Sequence, residues 1–173
     1  MKTLTTTLFI IICFALGSST NAQGFFRKQS GDWYLGGDLQ YASNSSSSIF
    51  AIAPELTYVI ENGIEGGLGM GYTSITNGNL KQKLFSLGPV LGYRFKETVF
   101  IRTQLQQLTG TATSGGNSVR LNETALWIGG GYLSNSGNGV TSRIGVMYNT
   151  LYKKDNSIYS TPLLPYASIS FAL

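Results

Sequence analysis

Apolar and polar residues alternate along most of this 173-residue chain, most strictly at residues 64–73. There Ile64, Leu68, Met70 and Tyr72 share one face, whereas Glu65 and three glycines occupy the other. Because successive residues of a strand point to opposite sides of a sheet, this pattern indicates strands that contact two different environments. Similar segments predict eight strands, at residues 32–42, 49–60, 64–73, 84–95, 99–109, 119–133, 140–152 and 161–173.

The two faces of these segments differ in chemistry. One face carries large apolar and aromatic residues, and the other carries charged residues, Gln, Ser and many of the 22 glycines. Only 12% of all residues are charged, which is low for a water-exposed surface. A membrane sheet must close to satisfy its edge groups, and the last segment keeps its strand character as far as Leu173. The sequence therefore predicts an all-β, eight-stranded, antiparallel, up-and-down transmembrane β-barrel.

The connections between segments alternate in predicted length. Compact turns are predicted after the second, fourth and sixth segments, which is typical of the periplasmic end of a membrane barrel. Longer exterior loops rich in Ser, Asn and Gly are predicted at residues 43–48, 74–83, 110–118 and 153–160. Pro54, Pro89 and Pro165 fall within strand segments, where each is predicted to mark a bulge or a local break.

The N-terminal residues have the order of a cleavable signal peptide. Lys2 precedes an apolar stretch at residues 8–16, and small residues up to Ala22 follow it. We expect a signal peptide at residues 1–22, a short periplasmic lead-in at 23–31 and the barrel domain at 32–173. Cys13, the single cysteine, lies in the signal segment, so the exported chain is expected to lack a disulfide and a lipid anchor. Export and the barrel pattern together predict an outer-membrane location.

The residue types argue against several functions. The chain contains no histidine, so the Ser-His-Asp arrangement of hydrolases is excluded. With its single cysteine in the signal segment, a thiol nucleophile and the common transition-metal sites are not expected either. The net charge of +4 comes without a long basic run, which argues against a nucleic-acid partner. We therefore expect no enzymatic activity, no metal and no cofactor.

Charged residues on the inner face form the main candidate site. Alternation assigns to the lumen the acidic Asp38, Glu55, Glu65 and Glu123 and the basic Arg94, Arg102 and Arg143. An eight-stranded barrel is just wide enough for its own side chains, so these charges are predicted to plug the lumen through ion pairs. Glycines on the same face leave some room, and a narrow channel for small solutes or ions is the alternative.

Basic residues are concentrated in the predicted exterior loops and beside them. They are Lys81, Lys83, Arg120, Lys153 and Lys154. A basic collar at this level has the charge to contact lipopolysaccharide phosphates. Ordinary solubility of exposed loops accounts for the same residues, and both interpretations stand.

A secreted lipocalin-like binding barrel is the alternative from another class. Residues 31–33, Gly-Asp-Trp, match the short opening motif of that family. A lipocalin, however, buries its apolar face inside the barrel and usually adds a helix after it. The alternation in this chain favours the opposite arrangement.

Three motifs carry a resemblance to a known family: GDWYLGG at residues 31–37, PVLGYRF at 89–95 and SFAL at 170–173. With them the chain after residue 22 resembles the small outer-membrane β-barrel proteins of Gram-negative bacteria, such as the OmpA membrane domain and OmpX, and is most similar to porin-family barrels of Bacteroidetes. The resemblance implies a monomer with a structural or cell-surface interaction role, inserted by the barrel-assembly machinery. Leu173 departs from the aromatic residue that commonly ends such barrels, and Phe171 supplies an aromatic in the same phase.

Overall fold

The computed structural model describes residues 31–43, 45–96, 98–136, 138–155, 157–159 and 161–173. The strands in these residues are β1 (Asp32–Ser43), β2 (Ser47–Val59), β3 (Ile64–Asn77), β4 (Leu80–Phe95), β5 (Val99–Ser114), β6 (Asn117–Asn135), β7 (Val140–Asn149) and β8 (Leu163–Ala172). A 3-10 turn at Glu61–Gly63 joins β2 to β3. Within the described ranges, no helix has the length and apolar character needed to cross a membrane. The predicted signal peptide lies outside the described residues.

The strands form a closed barrel. Each strand pairs antiparallel with its neighbour in the chain, and β8 pairs with β1 to close the sheet. The predicted eight-stranded, antiparallel, up-and-down architecture is therefore confirmed.

The predicted facing of the strands is also observed. Outside the barrel, Leu39 is 60% exposed, and the exposed aliphatic and aromatic side chains include residues of every strand. Inside, Tyr34 and Glu65 are buried almost completely. β6 had the least regular alternation, yet its phase is as predicted: Trp127 points into the lumen, and its neighbour Ile128 is half exposed on the wall. Apolar groups thus face the surroundings, whereas the polar groups are enclosed.

Three of the predicted exterior loops are wrong in extent. β1 ends at Ser43 and β2 starts at Ser47, so only residues 44–46 lie between these strands instead of 43–48. β3 continues to Asn77 and β4 starts at Leu80, so the region 74–83 is mostly strand around a two-residue turn. Likewise, β5 and β6 pair from Ser114↔Asn117 downward, and only Gly115 and Gly116 form the turn between them. The polar Ser, Thr and Gly of these regions were interpreted as loop residues. They belong to strands that continue beyond the band of exposed apolar side chains on the outer wall, which is called the apolar belt below. The connection between β7 and β8, at residues 150–162, is long as predicted.

The long β5–β6 hairpin leaves part of β6 with a single strand neighbour. β6 starts at Asn117, but its pairing with β7 starts only at Trp127↔Asn149. Among the described strands, residues 117–125 of β6 therefore pair with β5 alone. This segment is called the β6 edge below.

The prolines cause breaks rather than bulges. Pro54 is in register with Gly37 of β1, while the ladder to β3 stops at Ile52 and resumes at Glu55 without a change of register. Pro89 interrupts the β4–β5 ladder in the same way. Because proline cannot donate a backbone hydrogen bond, each of these two strands loses pairing with one neighbour and keeps it with the other.

Candidate functional site

Glu65 holds two arginines in the barrel lumen. Its Oε2 atom accepts hydrogen bonds from Arg94 Nε at 2.8 Å and from Arg143 Nη2 at 2.7 Å. The side chain of Glu65 is fully buried. Its neighbour in register on β4 is Gly92, where a Cβ atom would lie only 2.6 Å from Glu65 Oε1. The missing side chain at Gly92 therefore makes room for this carboxylate.

Glu55 forms the second ion pair of the lumen. Arg102 donates to both carboxylate oxygens, with Nη1 2.8 Å from Oε1 and Nη2 bonded to Oε2. Arg102 Nη2 also donates to Gln104 Oε1 at 3.3 Å. Arg143 Nη1 lies 3.9 Å from Glu55 Oε1, so Arg143 bridges the two carboxylates. The two glutamates and three arginines are called the lumen network below.

Aromatic rings support each arginine of the lumen network. The Arg94 guanidinium lies 4.7 Å from the centre of the Tyr34 ring, and that of Arg102 lies 5.1 Å from the Tyr166 ring. Arg143 is 6.0 Å from the Phe100 ring. Such contacts favour a desolvated cation. A search for charges in the sequence misses these rings, although their inward position in the alternation was a usable signal.

Several buried atoms of the lumen network have no hydrogen-bond partner among the described residues. They are Glu65 Oε1, Arg94 Nη2, Arg102 Nε and Arg143 Nε. Buried polar atoms normally bond to protein or to ordered water, so these atoms favour water within the network. The network therefore places in the lumen charged groups whose hydrogen bonding is not complete among the described residues.

The other two predicted lumen carboxylates have different surroundings. Asp38 lies on the inner face of β1 and interacts electrostatically with Arg102 and Glu55. Glu123 differs from its predicted place in the ion pairs: it accepts from Ser157 Oγ at 2.7 Å and from the backbone N–H of Ile158. The structure thus joins five of the seven predicted residues in one network and places Glu123 against the β7–β8 connection.

The β7–β8 connection folds toward the lumen. The ring of Tyr159 packs edge-on against Trp127, with 4.9 Å between ring centres, and its hydroxyl lies 3.4 Å from Gln106 Oε1. Trp127 Nε1 donates to the same oxygen at 2.9 Å. Burial raises the pKa of the Tyr159 hydroxyl far above its ordinary value, and the nearby carboxylate of Glu123 adds to the shift. A neutral Tyr159 side chain thus anchors the β7–β8 connection in the lumen.

A buried apolar cluster lies beneath this connection. Ile158, Tyr159 and Leu164 pack against it, and its members are Phe100, Leu108, Ala125, Trp127, Leu133, Met147 and Tyr166. It is called the lumen cluster below. The lumen therefore contains apolar packing as well as ion pairs.

The five predicted basic loop residues fall into two groups. Lys81 and Lys83 lie on β4 and Arg120 lies on β6, so these three are strand residues. Thr111 of β5 is in register with both Lys83 and Arg120, which places the two cations in one cross-strand row, both exposed. The other two, Lys153 and Lys154, are exposed in the β7–β8 connection.

Comparison with known proteins finds similarity among solved structures. No family model and no curated protein sequence matches the chain. The outer membrane protein Ail of Yersinia pestis, solved as a backbone structure in a phospholipid bilayer nanodisc, is similar over 83% of this chain and 97% of its own. The sequence identity is 14% and the TM-score is 0.46. Neither value identifies a function.

Proposed function

We propose that this chain is an outer-membrane β-barrel protein with a structural or cell-surface interaction role, and that its lumen is plugged by side chains. The apolar wall of the closed barrel carries the proposal. Leu68 and Leu91 are about 60% exposed on that wall, while Glu65 is fully buried inside. In a bilayer, a closed sheet satisfies every backbone group, and an apolar exterior is favourable.

The wall also separates this proposal from a lipocalin-like barrel. A soluble barrel of that class needs a charged exterior and an apolar interior, which is the reverse of the facing found here. The signal-like residues 1–22 support export, and Phe171, exposed near the end of β8, supports recognition by the barrel-assembly machinery.

The first test is extraction and gel mobility of the expressed protein. We expect it in the outer-membrane fraction, soluble only with detergent, and with a mobility that changes on boiling because the closed barrel resists unfolding in the gel. A protein that stays monodisperse in buffer without detergent contradicts the membrane assignment.

The β6 edge supports a role in surface interaction. Its residues 117–125 have a strand neighbour on one side among the described strands, and an unpaired strand edge is a template for a strand of another protein. A photo-crosslinking residue at Val119, which is 62% exposed, tests this role on intact cells. Leu68, with the same exposure but within the apolar belt, is the matched control. Protein adducts specific to position 119 support the role, and equal labelling at both positions contradicts it.

The cross-strand row of cations supports contact with lipopolysaccharide. Lys83 and Arg120 face outward above the apolar belt, where phosphates of the outer leaflet meet the wall. We expect the double variant Lys83→Gln/Arg120→Gln to be stabilised less by lipopolysaccharide than the unaltered protein. Lys153→Gln, which removes a cation from the β7–β8 connection, is the control. Equal stabilisation of all three proteins contradicts the contact.

A narrow channel is the second candidate function. The unpartnered donors of Arg102 and Arg143 favour it, because hydrated groups in the lumen are the start of an ion path. Planar-bilayer recordings of the folded barrel distinguish the two roles. We expect no conductance from a plugged lumen. Reproducible steps that change in the Arg102→Gln variant would instead establish a channel.

A further inference from the structure

The free side of the β6 edge presents its backbone groups in a regular order. Just below it, Leu126 O accepts a hydrogen bond from the backbone N–H of Thr150 at 2.8 Å, on the side that faces away from β5. Because the bonding direction alternates along a strand, every second residue points its N–H and C=O to this side. In the β6 edge these residues are Ser118, Arg120, Asn122 and Thr124. Within the described ranges, no backbone hydrogen bond reaches them there.

The two faces of the β6 edge differ in chemistry. Arg120 is exposed on the outer face. Val119 and Leu121 lie on the same face of β6 as Trp127, and they are 62% exposed and half-buried respectively. Directly opposed residues of paired strands point to the same face, so an added strand places alternate residues beside Arg120 and the others beside Val119 and Leu121. The edge therefore fits a strand in which polar and apolar residues alternate.

The exposed charges around the β6 edge are mostly positive. Arg120 lies on the edge itself, and residues 153–154 are exposed lysines of the β7–β8 connection, followed by the exposed Asp155. This connection contacts β6: the N–H of Ser157 donates to the backbone oxygen of the first lysine at 2.9 Å, and its hydroxyl donates to Glu123 at 2.7 Å. Opposite charges attract across an interface and like charges repel, so these cations favour an acidic strand and disfavour a basic one.

We propose that the β6 edge binds an extended segment of another protein in which acidic residues alternate with apolar ones. The carboxylates of that segment pair with Arg120, its apolar side chains pack on Val119 and Leu121, and its backbone bonds to the free side of the edge. The proposal rests on the surface-interaction role proposed above and names the partner of that site. A second copy of this chain is a poorer fit, because antiparallel pairing of two β6 edges about Leu121 makes their Arg120 side chains diagonal neighbours on one face.

Binding of labelled peptides to the folded barrel, in detergent without lipopolysaccharide, tests the proposal by fluorescence anisotropy. One short peptide alternates Glu and Val, and its counterpart alternates Lys and Val. We expect the Glu-Val peptide to bind and the Lys-Val peptide not to bind. For the Glu-Val peptide, we expect the affinity of Arg120→Gln to be about 2- to 5-fold lower than that of the unaltered protein. Lys81→Gln is the matched control, because it removes the same charge from β4, two strands away from the edge, and we expect it to bind normally.

A second pair of variants separates strand addition from attraction between charges. Asn122→Pro removes an N–H that points to the free side and leaves the N–H groups that bond to β5, whereas Asn122→Ala removes the same side chain but keeps the N–H. We expect the proline variant to lose peptide binding and the alanine variant to keep it. Where Asn122→Pro does not fold, methylating the backbone nitrogens of the Glu residues removes the peptide's own donors toward β6, and methylating those of the Val residues is the control.

Each contrary result overturns a stated part of the argument. Unchanged binding to Asn122→Pro, or unchanged binding of the Glu-methylated peptide, overturns strand addition and leaves a polyanion such as lipopolysaccharide as the ligand of these cations. Equal weakening in Arg120→Gln and Lys81→Gln overturns the pairing with Arg120. Equal binding of the two peptides overturns the acidic partner but supports the surface role of the edge. If neither peptide binds, the acidic partner is overturned, and cross-linking at Val119 on cells decides the surface role separately.

Discussion

Replacing Glu65 by Gln is the sharpest test of the lumen network. The substitution keeps the size of the side chain but removes the charge that Arg94 and Arg143 contact at 2.8 and 2.7 Å. Both arginines are at least nine-tenths buried, so water cannot fully replace the carboxylate. Breaking a buried ion pair on one side costs about 3 to 5 kcal/mol, and a hydrogen bond to a charged group is worth about 1.5 to 3 kcal/mol. We therefore expect a loss of about 3 to 5 kcal/mol in the free energy of unfolding.

The measurement is reversible urea unfolding of the barrel in lipid vesicles, followed by tryptophan emission. Glu123→Gln is the matched control, since the same chemical change there affects hydrogen bonds to Ser157 and Ile158 rather than arginines. We expect that control to lose about 1 to 3 kcal/mol. If Glu65→Gln were no less stable than Glu123→Gln, the assignment of Glu65 as the charge partner of two buried arginines would be refuted.

Three further changes test other parts of the structure. Gly88→Ala places a methyl group 1.7 Å from the backbone oxygen of Leu105. We expect the free energy of unfolding, measured in urea, to fall by about 1 to 3 kcal/mol. Gly66→Ala is the control, because the nearest atom to its new methyl group is 3.5 Å away, and we expect it to fold normally. Leu68→Arg on the apolar wall should cost about 2 to 4 kcal/mol in vesicles if that wall contacts the middle of a bilayer, and no cost contradicts the contact. Burial raises the pKa of the Tyr159 hydroxyl. Its contribution to stability is therefore fully present below the ordinary tyrosine pKa of about 10 and is lost as the pH rises above that value. The tyrosinate absorbance of the unaltered protein minus that of Tyr159→Phe should show this group ionising at a higher pH than a free tyrosine.

The sequence predicted the wall of this barrel better than its ends. Alternation located eight strands and assigned Trp127 and Ile128 to opposite sides, because burial on one face repeats every two residues. It failed at residues 74–83 and 110–118, because a strand above the apolar belt has water on its outer face. The Ser, Thr and Gly residues of such a strand then resemble those of a loop. Only pairing with a neighbouring strand distinguishes the two, and sequence periodicity carries no information about that pairing.

The partners of the lumen charges were likewise beyond the sequence pattern. Alternation placed Glu123 inside the barrel, but its contacts depend on where the β7–β8 connection folds. The ion pairs of Glu65 depend on register across the sheet, since Arg143 is 78 residues away in the chain. The face of the sheet on which a side chain lies follows from local alternation, whereas its contact partner depends on the registers of all the strands in the closed barrel.

The lumen network also restricts how the strands can be aligned. Its members come from β2, β3, β4, β5 and β7, and they meet only when all five strands are in their observed registers. Sliding any of these strands by one position turns its charged residue toward the outside, where an apolar medium excludes it. The network therefore favours the observed alignment of the strands, because a misaligned barrel would expose an unpaired charge and the correctly aligned barrel encloses all of them.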